Sequence, residues 1–179
     1  MDTTRKISNI ALIGFMGSGK SSVGRLVADQ LHFTFLDTDD VLVARAGKSI
    51  AEIFAQDGEA AFRERESALV LELAPRTRTV ISTGGGLPVN PANLASLKIH
   101  ALVMCLWASP EKIWERVRGQ NHRPLLNDSD AFAKLRALLD ARGPFYRQAD
   151  VLVNTEMRSL REVAQQIIHQ FRLALSAHR

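Results

Sequence analysis

The sequence predicts an α/β protein: a five-stranded parallel sheet with helices on both faces. Two patterns point there. Short apolar runs at residues 10–13, 33–36, 79–82, 101–106 and 151–153 read as buried parallel strands. Between them lie stretches with apolar residues at helical spacing, such as Val23, Leu26, Val27 and Leu31 after the first run and Leu160, Ala164, Ile167, Phe171 and Leu175 near the C-terminus. In a sheet built from such units, ligands bind beyond the C-terminal ends of the strands.

The first run leads directly into Gly14-Phe15-Met16-Gly17-Ser18-Gly19-Lys20-Ser21, a complete G-x-x-x-x-G-K-S loop that opens the first helix. Glycines at 14, 17 and 19 can take positive φ and turn consecutive backbone N–H groups towards phosphate oxygens. Those groups sit at the positive end of the helix, Lys20 adds a charge for the β and γ phosphates, and the Ser21 hydroxyl is placed to ligate magnesium. The chain is therefore expected to bind ATP or a similar nucleoside triphosphate together with Mg2+.

The second run ends in Leu36-Asp37-Thr38-Asp39-Asp40. Asp37 is placed to hold hydrated magnesium opposite Ser21, and Asp39 to accept hydrogen bonds from a substrate hydroxyl. One of these carboxylates should merely cap the next helix, and Asp40 is the expected one. Ser49 and Glu52 then have capping-box spacing, as do Ser159 and Glu162. In Phe62-Arg63-Glu64-Arg65-Glu66, helical spacing puts Arg63 and Glu66 on one side, which by itself predicts a solvated ion pair.

After the third run, Ser82-Thr83-Gly84-Gly85-Gly86 is either a close approach of backbone to a ligand or a flexible turn. Asn90-Pro91 and Ser109-Pro110 read as helix N-caps followed by proline in the first turn. The polar stretch Arg118-Gly119-Gln120-Asn121-His122-Arg123-Pro124 separates two helical patterns, and residues 116–127 read as a lid, with an ordinary surface connection as the alternative.

Bulk properties exclude several classes. The 179 residues are of single-domain length, and 46% hydrophobic with 23% charged content is that of a globular protein without low-complexity blocks. No apolar stretch approaches the length of a membrane span, and the polar start does not resemble a secretion signal, so a cytoplasmic protein without membrane partners is expected. The net charge of +4 comes with only 6% aromatic residues and no basic stripe interleaved with them, which argues for small anionic ligands over nucleic acid. Cys105, the lone cysteine, lies within an apolar run and reads as a core residue.

Taken together, the phosphate loop, Leu36-Asp37-Thr38-Asp39, Phe62-Arg63, Thr83-Gly84-Gly85-Gly86, Arg123-Pro124-Leu125-Leu126 and Arg142-Gly143-Pro144-Phe145-Tyr146 resemble, in order and spacing, the shikimate kinases. The resemblance runs from about Ile10 to Thr155 and implies a P-loop kinase fold acting, as a monomer, on shikimate with ATP and Mg2+. It implies that Asp39, Arg63, Gly84, Gly85, Gly86 and Arg142 contact the substrate, with Phe54 and Phe62 as an apolar wall, and that Glu66 orients the arginines. It places Gly17, Ser18, Gly19, Lys20, Ser21 and Ser22 around the phosphates, Ser21 and Asp37 at the metal, and Arg123 on the phosphates from the lid. Arg116, and with a gap in the alignment Arg158, would flank adenine. Lys20, Asp39 and Arg123 would carry the catalysis.

Overall fold

The computed structural model describes residues 5–119 and 130–177. Among them, β1 (Asn9–Ile13), β2 (Thr34–Asp37), β3 (Thr79–Ser82), β4 (Ala101–Trp107) and β5 (Val151–Asn154) form one parallel sheet in the order β2-β3-β1-β4-β5. The central strand β1 pairs on both sides, with Ile10 beside Val80 and Leu102. α1 (Lys20–Leu31) follows β1, while α2 (Thr38–Ala46) and α3 (Ile50–Leu73) follow β2. After β3 come a single 3-10 turn (Leu87–Val89) and α4 (Pro91–His100); α5 (Pro110–Val117) and α6 (Ala131–Tyr146) follow β4, and α7 (Leu160–Ala177) follows β5.

Successive side chains of a strand point to opposite faces, and β1 shows what each face meets. Ile10 and Leu12 pack with Val23 and Val27 of α1 and Ile167 and Phe171 of α7. Ala11 and Ile13 turn the other way, towards Ile53 and Leu69 of α3, Leu97 of α4 and Ile113 of α5. Helices thus cover both faces, as the sequence predicts.

The expectation of five buried strands holds for β1, β3 and β4 but not for β2 and β5, whose residues are mostly half-exposed. These two are the edges of the sheet, with a neighbour on one side only. On α7, Ala164, Ile167 and Phe171 are buried as expected, whereas Leu160 and Leu175 are exposed. A helix of 18 residues is about 27 Å long and a five-residue strand spans roughly 17 Å, so the helix ends extend past the sheet that would cover them.

Local capping follows the sequence closely. Ser49 and Glu52 form a reciprocal capping box on α3, and Ser159 and Glu162 exchange the same bonds at α7. Asn90 and Ser109 cap α4 and α5, each followed by proline. At α2 the cap is Asp37, whose Oδ1 accepts from the Asp39 N–H at 3.1 Å, and not Asp40. Asp37 ends β2 with extended φ and ψ, the conformation an N-cap needs, while Asp40 is already in the first turn and pairs with Arg25 at 3.5 Å.

No helix among the described residues is long and apolar enough to cross a membrane. The phosphate loop, Thr38-Asp39, the glycine triplet and Thr155 all follow strand C-termini, so parallel pairing delivers them to one edge of the sheet.

Candidate active site

The loop between β1 and α1 has the backbone its glycines predict: φ is 136° at Gly14, 74° at Gly17 and 97° at Gly19. At Gly17 packing agrees with backbone, since a Cβ there would lie 2.5 Å from Cγ1 of Val117. Lys20 is 9% exposed and folds over the loop, donating from Nζ to the Phe15 carbonyl at 2.9 Å. The Ser21 hydroxyl donates to Asp37 Oδ2 at 2.6 Å and lies 3.3 Å from the Ser82 hydroxyl. Asp37 and Ser82 are register partners on β2 and β3, which explains the convergence.

A second group assembles beside it from α2, α3, the turn after β3, and α6. Burial raises the pKa of Asp39 to about 6, neighbouring Asp37 adds to the rise, and Lys20 opposes it. Arg63 Nη1 donates to Glu66 Oε2 at 2.6 Å and Nη2 to Glu59 Oε1 at 2.8 Å. Glu66 is only 1% exposed, so this is not the solvated pair that helical spacing suggests. Spacing fixes which residues are neighbours on α3, but not that this side of the helix meets the glycine turn. Burial raises the pKa of Glu66 while Arg63 works against it, and Glu66 Oε1 has no hydrogen-bond partner.

In the glycine triplet, Gly84 and Gly86 are set by space rather than by φ. None of its residues takes positive φ. A Cβ on Gly84 would lie 2.5 Å from Asp39 Oδ1 and 3.0 Å from Glu66 Oε1; one on Gly86 would lie 2.5 Å from Arg63 Nη1. The turn therefore approaches the side chains of Asp39, Glu66 and Arg63 closely. The turn is also pinned, with the Gly84 N–H donating to Thr38 Oγ1 at 2.9 Å and the Tyr146 hydroxyl to the Gly85 carbonyl at 2.7 Å.

Arg142, on α6, places its guanidinium 5.9 Å from the Phe15 ring. A Cβ on Gly85 would lie 3.6 Å from its Nη1, so Arg142 meets the same glycine turn. Phe62 is buried, Phe54 is partly exposed, and their rings meet edge to face at 4.9 Å.

Between the two groups is a cleft of about 320 Å³, lined by Gly17, Gly19, Lys20, Ser21, Ser22, Asp37, Asp39, Gly85 and Arg116, with Met16 and Thr83. Arg116 is held at its rim, donating to the Gly17 carbonyl at 3.3 Å and to the Thr155 hydroxyl and carbonyl at 3.0 and 2.7 Å. Two expected residues stand apart. The Ser18 hydroxyl is buried without a partner while its N–H donates to the Phe15 carbonyl at 3.2 Å, and Arg158 donates to Gln166 on α7.

Arg123 and most of the expected lid lie outside the described residues. Arg116 and Val117, included in that lid, instead belong to α5, where Val117 is buried in the core. Sequence reasoning assigned no role to Tyr146, Thr155 or Ser82. Tyr146 stands in a motif quoted above, whereas the place of Ser82 opposite Asp37 depends on strand pairing that no local pattern encodes. Cys105 is buried, which pushes its thiol up to about 12 and disfavours the thiolate, consistent with a core residue.

A family model described as shikimate kinase matches residues 16–172. The shikimate kinase of Symbiobacterium thermophilum is 45% identical over 165 residues, covering 90% of this chain and 95% of that protein. The shikimate kinase of Caldanaerobacter subterraneus subsp. tengcongensis is 41% identical over 165 residues, covering 92% and 96%. Among solved structures, shikimate kinase from Acinetobacter baumannii in complex with shikimate superimposes with a TM-score of 0.87 at 37% identity, covering 97% of this chain and 96% of that one. The chain belongs to the shikimate kinase family.

Proposed function

We propose a division of labour, within one monomeric unit, for the reaction of this family: the γ-phosphoryl group of ATP passes to the 3-hydroxyl of shikimate, giving shikimate 3-phosphate and ADP on the route to chorismate and the aromatic amino acids. The loop N–H groups and Lys20 bind the phosphates and stabilise the charge that spreads over the phosphoryl oxygens in a loose transition state. Arg116 flanks the base at the rim, and Arg123 is assigned to the phosphates on the sequence pattern alone. Ser21 and Asp37 present hard oxygen atoms 2.6 Å apart with the Ser82 hydroxyl alongside, a donor set that suits Mg2+ held partly through water. Bound there, Mg2+ would neutralise phosphate charge.

On the acceptor side, Arg63 and Arg142 take the substrate carboxylate, since planar guanidinium groups make paired, charge-assisted bonds to it. Glu66 anchors Arg63 through its buried oxygen. Asp39 accepts the hydrogen bond of the 3-hydroxyl and takes its proton as the O–P bond forms. Gly84 to Gly86 leave room for these side chains, and Phe54 with Phe62 supplies the apolar wall.

The observation that carries this reading is the packing of Asp39, Arg63 and Glu66 around one glycine turn, beside a phosphate loop whose Lys20 field reaches Asp39. The test is ADP release from ATP and Mg2+ with shikimate, with gluconate and with no acceptor. Stimulation by shikimate alone is expected; equal stimulation by gluconate, or none, overturns the acceptor assignment. Arg63→Ala should raise the KM for shikimate far more than that for ATP.

A further inference from the structure

Helix α3 is not continuous. At Gly58 the backbone takes φ 85° and ψ 162°, so residues 50–57 form an arm joined to residues 59–73 through a kink. Glycine adopts that combination without a Cβ penalty, but nothing lies within 4 Å of where a Cβ would sit, so local packing does not enforce the angle. The arm must be fixed by contacts on either side. Ile53 anchors it in the core and Phe54 meets Phe62.

Asp57 supplies a further contact: its Oδ2 accepts from Arg65 Nη2 at 2.7 Å, and its Oδ1 lies 3.9 Å from Lys48 Nζ. Lys48 belongs to the turn between α2 and α3, so one carboxylate joins turn, arm and main helix. Asp57 does not line the catalytic cleft. It faces a separate hollow with Leu42 and Arg45, so any influence on the reaction is indirect, through the elements it joins. The arm carries Phe54, whose ring lies 6.0 Å from the Arg63 guanidinium, with Phe62 at 5.5 Å. Both rings thus lie against the cation assigned to the substrate carboxylate.

We propose that Asp57 is a positioning residue: by clasping Arg65 and Lys48 across the Gly58 kink, it holds Phe54 over Arg63 and thereby sets affinity for the acceptor. This rests on the reading of Arg63 and Phe54 as acceptor-site residues.

The test compares wild type, Asp57→Asn, Asp57→Glu, Arg65→Gln and the double variant Asp57→Asn/Arg65→Gln for kcat, KM of shikimate, KM of ATP and thermal midpoint. A half-exposed ion pair supports a change of about three- to five-fold. Each neutralising single variant should raise the shikimate KM by that factor and leave kcat and the ATP KM within about two-fold. The double variant should be no worse than either single, and Asp57→Glu should stay nearer wild type than Asp57→Asn. The clasp is refuted by an unchanged shikimate KM, by an equal rise in both KM values, or by additive losses in the double variant. Absence of shikimate-stimulated turnover in the wild type would instead overturn the functional reading, and this inference with it.

Discussion

The two halves of the proposed site are built on different principles. The phosphate half is a contiguous loop that works largely through backbone: Gly14, Gly17 and Gly19 orient N–H groups, and Lys20 and Ser21 follow at once in the chain. The acceptor half draws side chains from α2, α3 and α6 onto the turn after β3, and its geometry depends on how those elements pack. A backbone-built site tolerates shifts in distant helices. A site assembled from side chains passes each shift to its ligand, so damage to the first half should appear in the chemical step and damage to the second, Asp39 apart, in affinity for the acceptor.

The largest expected effect lies in the phosphate half. Lys20→Ala removes the buried positive charge assigned to the phosphates and should lower kcat by roughly a hundred- to a thousand-fold. The KM for shikimate should change little by comparison. Steady-state kinetics with each substrate varied separately checks this, and a shikimate KM that rises as much as kcat falls would show that the halves are not separable.

Glu66→Ala is the corresponding change in the acceptor half. It takes away the buried partner of Arg63 Nη1, while Glu59 still accepts from Nη2. Loss of such a bond costs about 1–3 kcal/mol, equivalent to a rise in shikimate KM of roughly 5- to 150-fold. Urea unfolding and shikimate titration should report the loss, with the ATP KM nearly constant. Glu66→Gln should fall between the two, because it keeps shape and loses charge.

This contrast also explains what could be read from the sequence. The phosphate half was legible because its determinants are neighbours in the chain, as were the capping residues Ser49, Asn90, Ser109 and Ser159. The acceptor half was legible mainly through its likeness to a family. Helical spacing paired Arg63 with Glu66 but treated Glu66 as solvated, since its burial comes from the glycine turn some twenty residues away in sequence. Which of Asp37 and Asp40 caps α2 is not legible in the sequence, because the end of β2 cannot be located to one residue from an apolar run. Edge exposure of β2 and β5 is a property of strand order, which no single run encodes.

The halves meet electrostatically at Asp39. Burial and Asp37 raise its pKa to about 6, and Lys20 pulls it down. Above that value the carboxylate is ionised and can accept the hydroxyl proton; below it the acid is neutral and the acceptor function is lost. The kcat/KM for shikimate should therefore fall about ten-fold per pH unit below about 6. Without the Lys20 charge the acid limb should move to higher pH, which kcat/KM profiles of Lys20→Ala would reveal. An unmoved limb would mean that the loop's charge does not reach the acceptor half.

The smallest effect should come from a site remote from both halves. Asp150 accepts from Arg5 Nη1 at 2.9 Å and from the Val103 N–H at 2.8 Å, with Lys98 at 3.6 Å. Burial alone would raise its pKa, but these partners outweigh burial and hold the carboxyl below its usual value. A lowered folded-state pKa means stabilisation that is present above the unfolded value near 3.9 and lost as pH falls through the folded one. Asp150→Asn should thus cost roughly 1–2 kcal/mol at neutral pH, with the gap to wild type closing in acid. Both KM values should stay unchanged. If this variant also raised the shikimate KM, general loosening of the fold would account for the acceptor effects, and the separation into a backbone half and a side-chain half would fail.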